Sequence, residues 1–131
     1  MALRTKADWF GVALNSPDPQ KLGRFYQRLL GWQLYADEPN WVTLAPSKKA
    51  GYNLAFQKEE LYERPVWPAV EGKQQMQIHL DIAVDDLTES VAHALEAGAE
   101  LPDFQPQDDV RVMLDPDGHP FCLYLDSDDD D

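Results

Sequence analysis

Apolar and polar residues alternate in short runs along the chain, and the period of that alternation switches between two and about 3.6. Near the N-terminus WFGVALNS has the period of a strand. Asp18-Pro19 then offers a helix N-cap followed by proline at the first helical position. Leu22, Phe25, Tyr26 and Leu29 recur at helical spacing, and Gly31 supplies the left-handed residue that commonly ends a helix. Three segments rich in aromatic and branched residues follow, WQLYA, NWVTLA and YNLAFQ, separated by turn residues at Glu38-Pro39-Asn40 and from Pro46 to Gly51. The predicted order is β-α-β-β-β.

The second half repeats it. QIHLDIAV reads as a strand, Asp86 caps a helix with Glu89 three residues on, and Leu87, Val91, Ala94 and Leu95 form its apolar stripe before Gly98. A short strand near Ala99 to Leu101, a proline-rich polar loop, VRVMLD, the turn Asp115-Pro116-Asp117-Gly118 and FCLYLD complete the copy. FGVALNSPD superposes on IHLDIAVDD with a shift of 68 residues and GYNLAFQ on GHPFCLY with 67, the mark of an internal duplication with one residue gained or lost between. The expected organisation is therefore α+β: a βαβββ module over residues 1–57, a linker over 58–75 carrying Pro65, Trp67 and Pro68, and a second βαβββ module over 76–125.

Strand parity separates two faces. Phe10, Val12, Leu14, Leu54, Phe56, Ile78, Leu80, Ile82, Val84, Phe121, Leu123 and Leu125 form rows expected under the helices. The opposite rows are mixed: Trp9, Gly11, Ala13 and Asn15; Asn53, Ala55 and Gln57; Gln77, His79 and Asp81; Cys122 and Tyr124. Apolar walls with a few polar groups are what a small-molecule pocket needs, so Trp9, Gly11, Asn53, Ala55, Gln57, Gln77, His79, Asp81, Cys122 and Tyr124 are the expected ligand-binding residues.

Charge narrows the partners. The 131 residues hold 11 Lys and Arg against 24 Asp and Glu, a net charge of −13, which repels phosphate backbones and anionic membranes. Neither nucleic acid nor a membrane is expected as a partner. Residues 126–131 read as a disordered, solvated acidic tail. MALRTKADWF lacks the apolar run of a signal peptide, and a single cysteine excludes an internal disulfide framework, so a cytoplasmic location is expected.

SPDPQKLGRFYQRLLGWQL, then HLDIAVDDL, then LDPDGHPFCLYL together resemble the vicinal-oxygen-chelate superfamily of glyoxalase I, bleomycin-resistance proteins, fosfomycin-resistance transferases and extradiol dioxygenases. RPVWP, QIHLD and DPDGHPFCL resemble bacterial glyoxalase-like proteins without an assigned reaction. The resemblance covers nearly the whole chain. It implies two curved sheets facing one another around a cup, and a homodimer. Metal-using members carry ligands at four positions, which fall here on Gly11, Ala55, His79 and Cys122. Gly11 and Ala55 have no ligand atom, and a catalytic metal usually needs about three protein ligands; a His79/Cys122 pair suits zinc but is one ligand short unless Asp81 turns inward, so no metal or other cofactor is expected. Small residues at those positions would instead leave space for an organic ligand.

His79 and Asp81 lie two apart on one strand face, so Asp81 can orient the imidazole. That makes His79, assisted by Asp81, the catalytic candidate as a proton acceptor; the competing reading is a satisfied core histidine. Cys122 reads as a small buried thiol rather than a nucleophile, His119 as an exposed or capping group at its turn, and His93 as surface. Arg111 would hold an anion if its side of VRVML faces the cup, and would otherwise serve in an exposed ion pair. Trp9 is the foremost aromatic wall candidate, ahead of Trp41, Trp32 and Trp67. The function expected is metal-independent small-molecule binding, by sequestration or with simple proton transfer. The alternatives are a metal-dependent lyase, isomerase or dioxygenase using His79, and a non-catalytic interaction module.

Overall fold

The structure is a computed structural model that describes residues 2–126; the acidic run from residue 127 onward lies outside them. Two compact units divide the chain, Met1–Tyr62 and Glu63–Asp131, and the 58–75 segment is shared between them.

The first unit contains β1 (Phe10–Ser16), α1 (Pro19–Leu30), β2 (Gln33–Glu38), β3 (Trp41–Ala45) and β4 (Tyr52–Lys58). Its sheet has the order β1-β4-β3-β2, with β1 parallel to β4 and the other pairs antiparallel. The helix begins and ends on the predicted residues: the Asp18 carboxylate accepts the Lys21 N–H, and Gly31, at φ 72°, donates its N–H to the Gln27 carbonyl. Leu22, Phe25 and Tyr26 on one face of α1 are buried with Val42, Leu44 and Phe56 of the sheet. Tyr26 stacks on Phe56 at 5.4 Å between centroids and meets Phe25 edge-on at 4.8 Å. Each such pair adds about 0.5–1.5 kcal/mol beyond the area it buries.

The second unit contains β5 (Leu80–Val84), α2 (Leu87–Ala97), β6 (Val110–Leu114) and β7 (Pro120–Leu125). Its sheet order is β5-β7-β6, again with a parallel first pair. Asp86 accepts the Glu89 N–H at the start of α2, and Gly98 returns its N–H to Ala94 and Leu95 at the end. The pairing registers reproduce the duplication: Ala13 lies opposite Ala55 in the first unit and Asp81 opposite Cys122 in the second, the same one-residue difference as between the two sequence shifts.

The second unit departs from the predicted order. The strand expected at Ala99 to Leu101 is reduced to one bridge, Glu100 to Leu114. Beyond it, the Gln105 side chain does the work of a strand, its Nε2 donating to the Val112 carbonyl at 3.0 Å and its Oε1 accepting the Val112 N–H at 2.8 Å. Backbone groups at the edge of a sheet need partners, and a side-chain amide carries the same donor and acceptor as a peptide. Rows expected to be buried also fray. Phe10 and Leu125, at the outer ends of their strands, are 70% and 38% exposed, and Ile78, which precedes β5, is 53% exposed. Leu95, assigned to the apolar stripe of α2, is 44% exposed, because the helix turns Ala94 and Ala97 to the sheet instead.

Candidate functional site

β5 and β7 assemble the polar cluster of the second unit. Parallel pairing sets Asp81 beside Cys122 and Ala83 beside Tyr124. His79 stands just before β5, and its Nε2 lies 3.1 Å from Asp81 Oδ1. One potential ligating atom from each of His79, Asp81 and Cys122 falls within 4.8 Å of the others. His79, Asp81, Cys122 and Tyr124 line one pocket of about 290 Å³ with Gln107, Asp109, Val110 and Leu125. The imidazole is partnered by Asp81, as one reading required, but its side chain is 39% exposed at the pocket and is no core histidine.

Burial pushes the Cys122 thiol above its ordinary pKa, and the charge of Asp81 and a hydrogen bond to it push in the same direction. A thiol held protonated is a weak donor and a poor nucleophile, consistent with the absence of a nucleophilic role in the sequence reading.

Arg111 fits neither of its two expected roles. It pairs with Leu123, so its row is not the Cys122–Tyr124 row; Val112 and Val110 occupy that one. Its Nη1 donates to the carbonyls of Gln107, Asp108 and Val110 and so pins the loop that brings Gln107 and Asp109 to the pocket. Those two loop residues carried no periodicity, which is why strand parity missed them. His119 is a capping group, as one of its two readings had it, and it is not exposed. Its Nδ1 is 2.8 Å from Asp115, a fully buried carboxylate that also accepts the N–H groups of Asp117 and His119 and so closes the turn before β7.

The corresponding positions of the first unit hold different chemistry. Gly11 and Asn53 are neighbours on the β1–β4 pair, as are Asn15 and Gln57, whose side chains bond to each other at 2.7 Å. Ala55 is buried, opposite Ala13 and Thr43. The room expected above Gly11 does not exist: a Cβ there would lie 2.5 Å from Trp9 Cη2 and 2.6 Å from Asn53 Oδ1. The indole and the amide occupy the place where a side chain at residue 11 would project. A four-ligand metal centre built on Gly11, Ala55, His79 and Cys122 therefore does not fit these residues, for want of ligand atoms at Gly11 and Ala55.

Trp9 and Asn53 instead help to line a separate pocket of about 190 Å³ within the first unit, together with Tyr35, Thr43, Ser47, Lys48 and Tyr52. Tyr35, Ser47, Lys48 and Tyr52 were not anticipated; the turn from Pro46 to Gly51 carried only a turn signal. Gln77, the remaining expected ligand-binding residue, is exposed in the bend before β5 and lines neither pocket. Among the described residues no helix is long and apolar enough to cross a membrane.

Three solved structures share the fold. An antibiotic-binding protein of a Streptomyces species is 24% identical over 97% of this chain and 99% of its own, with a TM-score of 0.60. A glyoxalase/bleomycin resistance protein/dioxygenase family enzyme of Burkholderia phytofirmans is 22% identical over 88% and 95%, TM-score 0.65. A fosfomycin resistance protein of Mesorhizobium loti is 14% identical over 88% of each chain, TM-score 0.62. No curated protein matches the sequence. The glyoxalase-like domain pattern matches residues 11–124, which spans both units and every strand and helix except the extreme ends of β1 and β7, and the chain belongs to that family.

Proposed function

We propose that this protein binds a small organic molecule without the four-ligand metal centre of its superfamily, and either sequesters that molecule or moves one proton on it. The observation that carries the reading is the absence of any ligand atom at Gly11 and Ala55, with Trp9 and Asn53 lying against the bare Cα of Gly11. The antibiotic-binding and fosfomycin-resistance neighbours support a small-molecule ligand on this fold.

In the second unit, the neutral His79 ring can donate from Nε2 to Asp81, which leaves Nδ1 as the proton acceptor; Cys122 and Tyr124 contribute donors beside it. Metal analysis of protein purified without chelator, combined with a melting scan against divalent ions, tests the reading: sub-stoichiometric metal and an unmoved melting temperature are expected. A thermal-shift screen of aromatic, heterocyclic and anionic metabolites should then give hits that His79→Ala and Asp81→Ala weaken. Undiminished binding in both variants would remove the pair from the site. By resemblance a homodimer is expected, and light scattering should return twice the chain mass.

The His79, Asp81 and Cys122 cluster favours a second reading, a metal-dependent lyase, isomerase or dioxygenase. Nitrogen, oxygen and sulfur donors within one pocket suit a zinc-class ion. Near-stoichiometric metal, lost in Cys122→Ser, would establish that reading and overturn the first.

A further inference from the structure

We propose that the first unit's pocket is a binding site for a small aromatic anion, a one- or two-ring carboxylate or its like. The inference rests on the small-molecule reading above and names a ligand class for a pocket that contains none of His79, Asp81 or Cys122.

The walls come first. Trp9, Tyr35 and Tyr52 are 50%, 40% and 49% exposed, and all three line the same pocket. Large aromatic faces left to solvent around one concavity are unusual on a soluble surface unless something covers them. Each ring also has a neighbour that orients it. The tip of Trp9 is seated over the bare Cα of Gly11, Tyr52 meets Trp32 edge-on at 5.8 Å, and the Tyr35 hydroxyl donates to Gln33 at 2.9 Å. Rings oriented before binding lose less freedom when a ligand stacks on them.

The polar groups decide the charge. Ser47, Lys48 and Asn53 line the pocket, and among the described residues none of their side chains has a hydrogen-bond or ion-pair partner. In a chain of net charge −13, Lys48 brings a positive charge to the rim of this pocket. An anionic group on the ligand would take a charge-assisted bond from Lys48 and ordinary ones from Asn53 and Ser47. A cationic ligand would find aromatic faces, but with a like charge beside them. Size sets the last limit. At about 190 Å³ the pocket is below the range of drug-sized sites, which admits one or two fused rings and excludes a large polycycle.

The test uses the full chain and three isosteric probes: 1-naphthoate, 1-naphthylmethanol and 1-naphthylmethylamine. Isothermal titration should rank them in that order, with the carboxylate about tenfold tighter than the alcohol at low salt. Lys48→Met should erase that tenfold difference by weakening the carboxylate far more than the alcohol. Trp9→Ala should weaken carboxylate and alcohol alike by roughly three- to tenfold, with circular dichroism confirming an intact fold. Amide and indole resonances of Trp9, Ser47 and Asn53 should move on addition of naphthoate. A carboxylate that binds no tighter than the alcohol overturns the proposal, and so does one that moves only resonances of His79, Asp81 and Cys122. The latter outcome leaves the broader small-molecule reading standing; that reading fails separately, if the metabolite screen also yields no hit.

Discussion

The two units share a backbone register and differ in what they place on it. Where the first unit has Gly11, Ala13 and Ala55, the second has His79, Asp81 and Cys122 at the matching strand positions. The difference extends to the core. Tyr26 and Ala94 are equivalent by the same shift and both fully buried, yet one is an aromatic stacked on Phe56 and the other a methyl group. The first unit has a complete four-stranded sheet under a helix with large apolar residues; the second has three strands, one bridge and a side chain standing in for the rest. Duplication fixed the hydrogen-bond register, and side-chain replacement then separated a well-packed unit with an aromatic-walled pocket from a thinner unit whose face carries the His79, Asp81 and Cys122 cluster. A fold supplies positions, and the chemistry belongs to whatever occupies them.

The largest expected effect lies in that core. Tyr26→Ala should cost about 3–5 kcal/mol of unfolding free energy, because it removes an aromatic ring from a site with no solvent access. Leu95→Ala on α2 should stay within about 1 kcal/mol, since its side chain is already substantially exposed. Urea unfolding of the two variants measures the contrast. Equal losses would mean that the two helices contribute alike and that the asymmetry of packing has no energetic consequence.

Gln105 sharpens the comparison at the sheet edge. Gln105→Ala leaves both backbone groups of Val112 without the amide, and the expected cost is about 1–3 kcal/mol. Hydrogen exchange should accelerate at Val112 and not at β3 of the first unit, where a real strand lies alongside. Unchanged protection at Val112 would show that water replaces the amide without loss.

A smaller effect follows from the raised pKa of Cys122. The folded protein holds the thiol proton more tightly than the unfolded chain does. The resulting stabilisation is fully present below the ordinary thiol pKa and is lost as pH rises through the raised folded value. Stability measured from neutral to alkaline pH should fall less steeply in Cys122→Ala than in the parent, and alkylation of the native thiol near pH 8 should be slower than that of a free cysteine. Asp81→Asn removes the charge that acts with burial and should bring the reactivity of Cys122 part of the way back. A native thiol that reacts at the free rate would contradict the assignment.

Much of the fold was legible because it rests on local chemistry: Asp18, Gly31, Asp86 and Gly98 end their helices as their residue types demand. The doubled strand pattern also located the His79, Asp81 and Cys122 cluster, since parity and register are the same fact seen from sequence and from structure. What stayed hidden depends on side chains that replace backbone or fill space. Gln105 acts as a strand without a strand's period. Arg111 bonds to three carbonyls that no charge pattern reveals. Lys48 and Tyr35 reach a pocket from a turn and from a β2 strand whose register shifts between Leu34 and Asp37, so simple alternation does not assign them.

Gly11 gives the smallest change in stability and the most direct test of how the units diverged. Its backbone is ordinary extended strand, so Gly11→Ala brings no conformational strain, and the new methyl meets only the end of an exposed indole and a side-chain amide. Both can swing aside. The expected change in unfolding free energy is within about 0.5 kcal/mol. The indole must move, however, so the Trp9 indole N–H resonance should shift while those of Trp32 and Trp67 stay in place. His79→Gly at the matching position of the second unit has no indole to release and should leave every tryptophan resonance unmoved. If Gly11→Ala leaves Trp9 where it is, the indole is not seated on the glycine, and the space above residue 11 is open to a ligand after all.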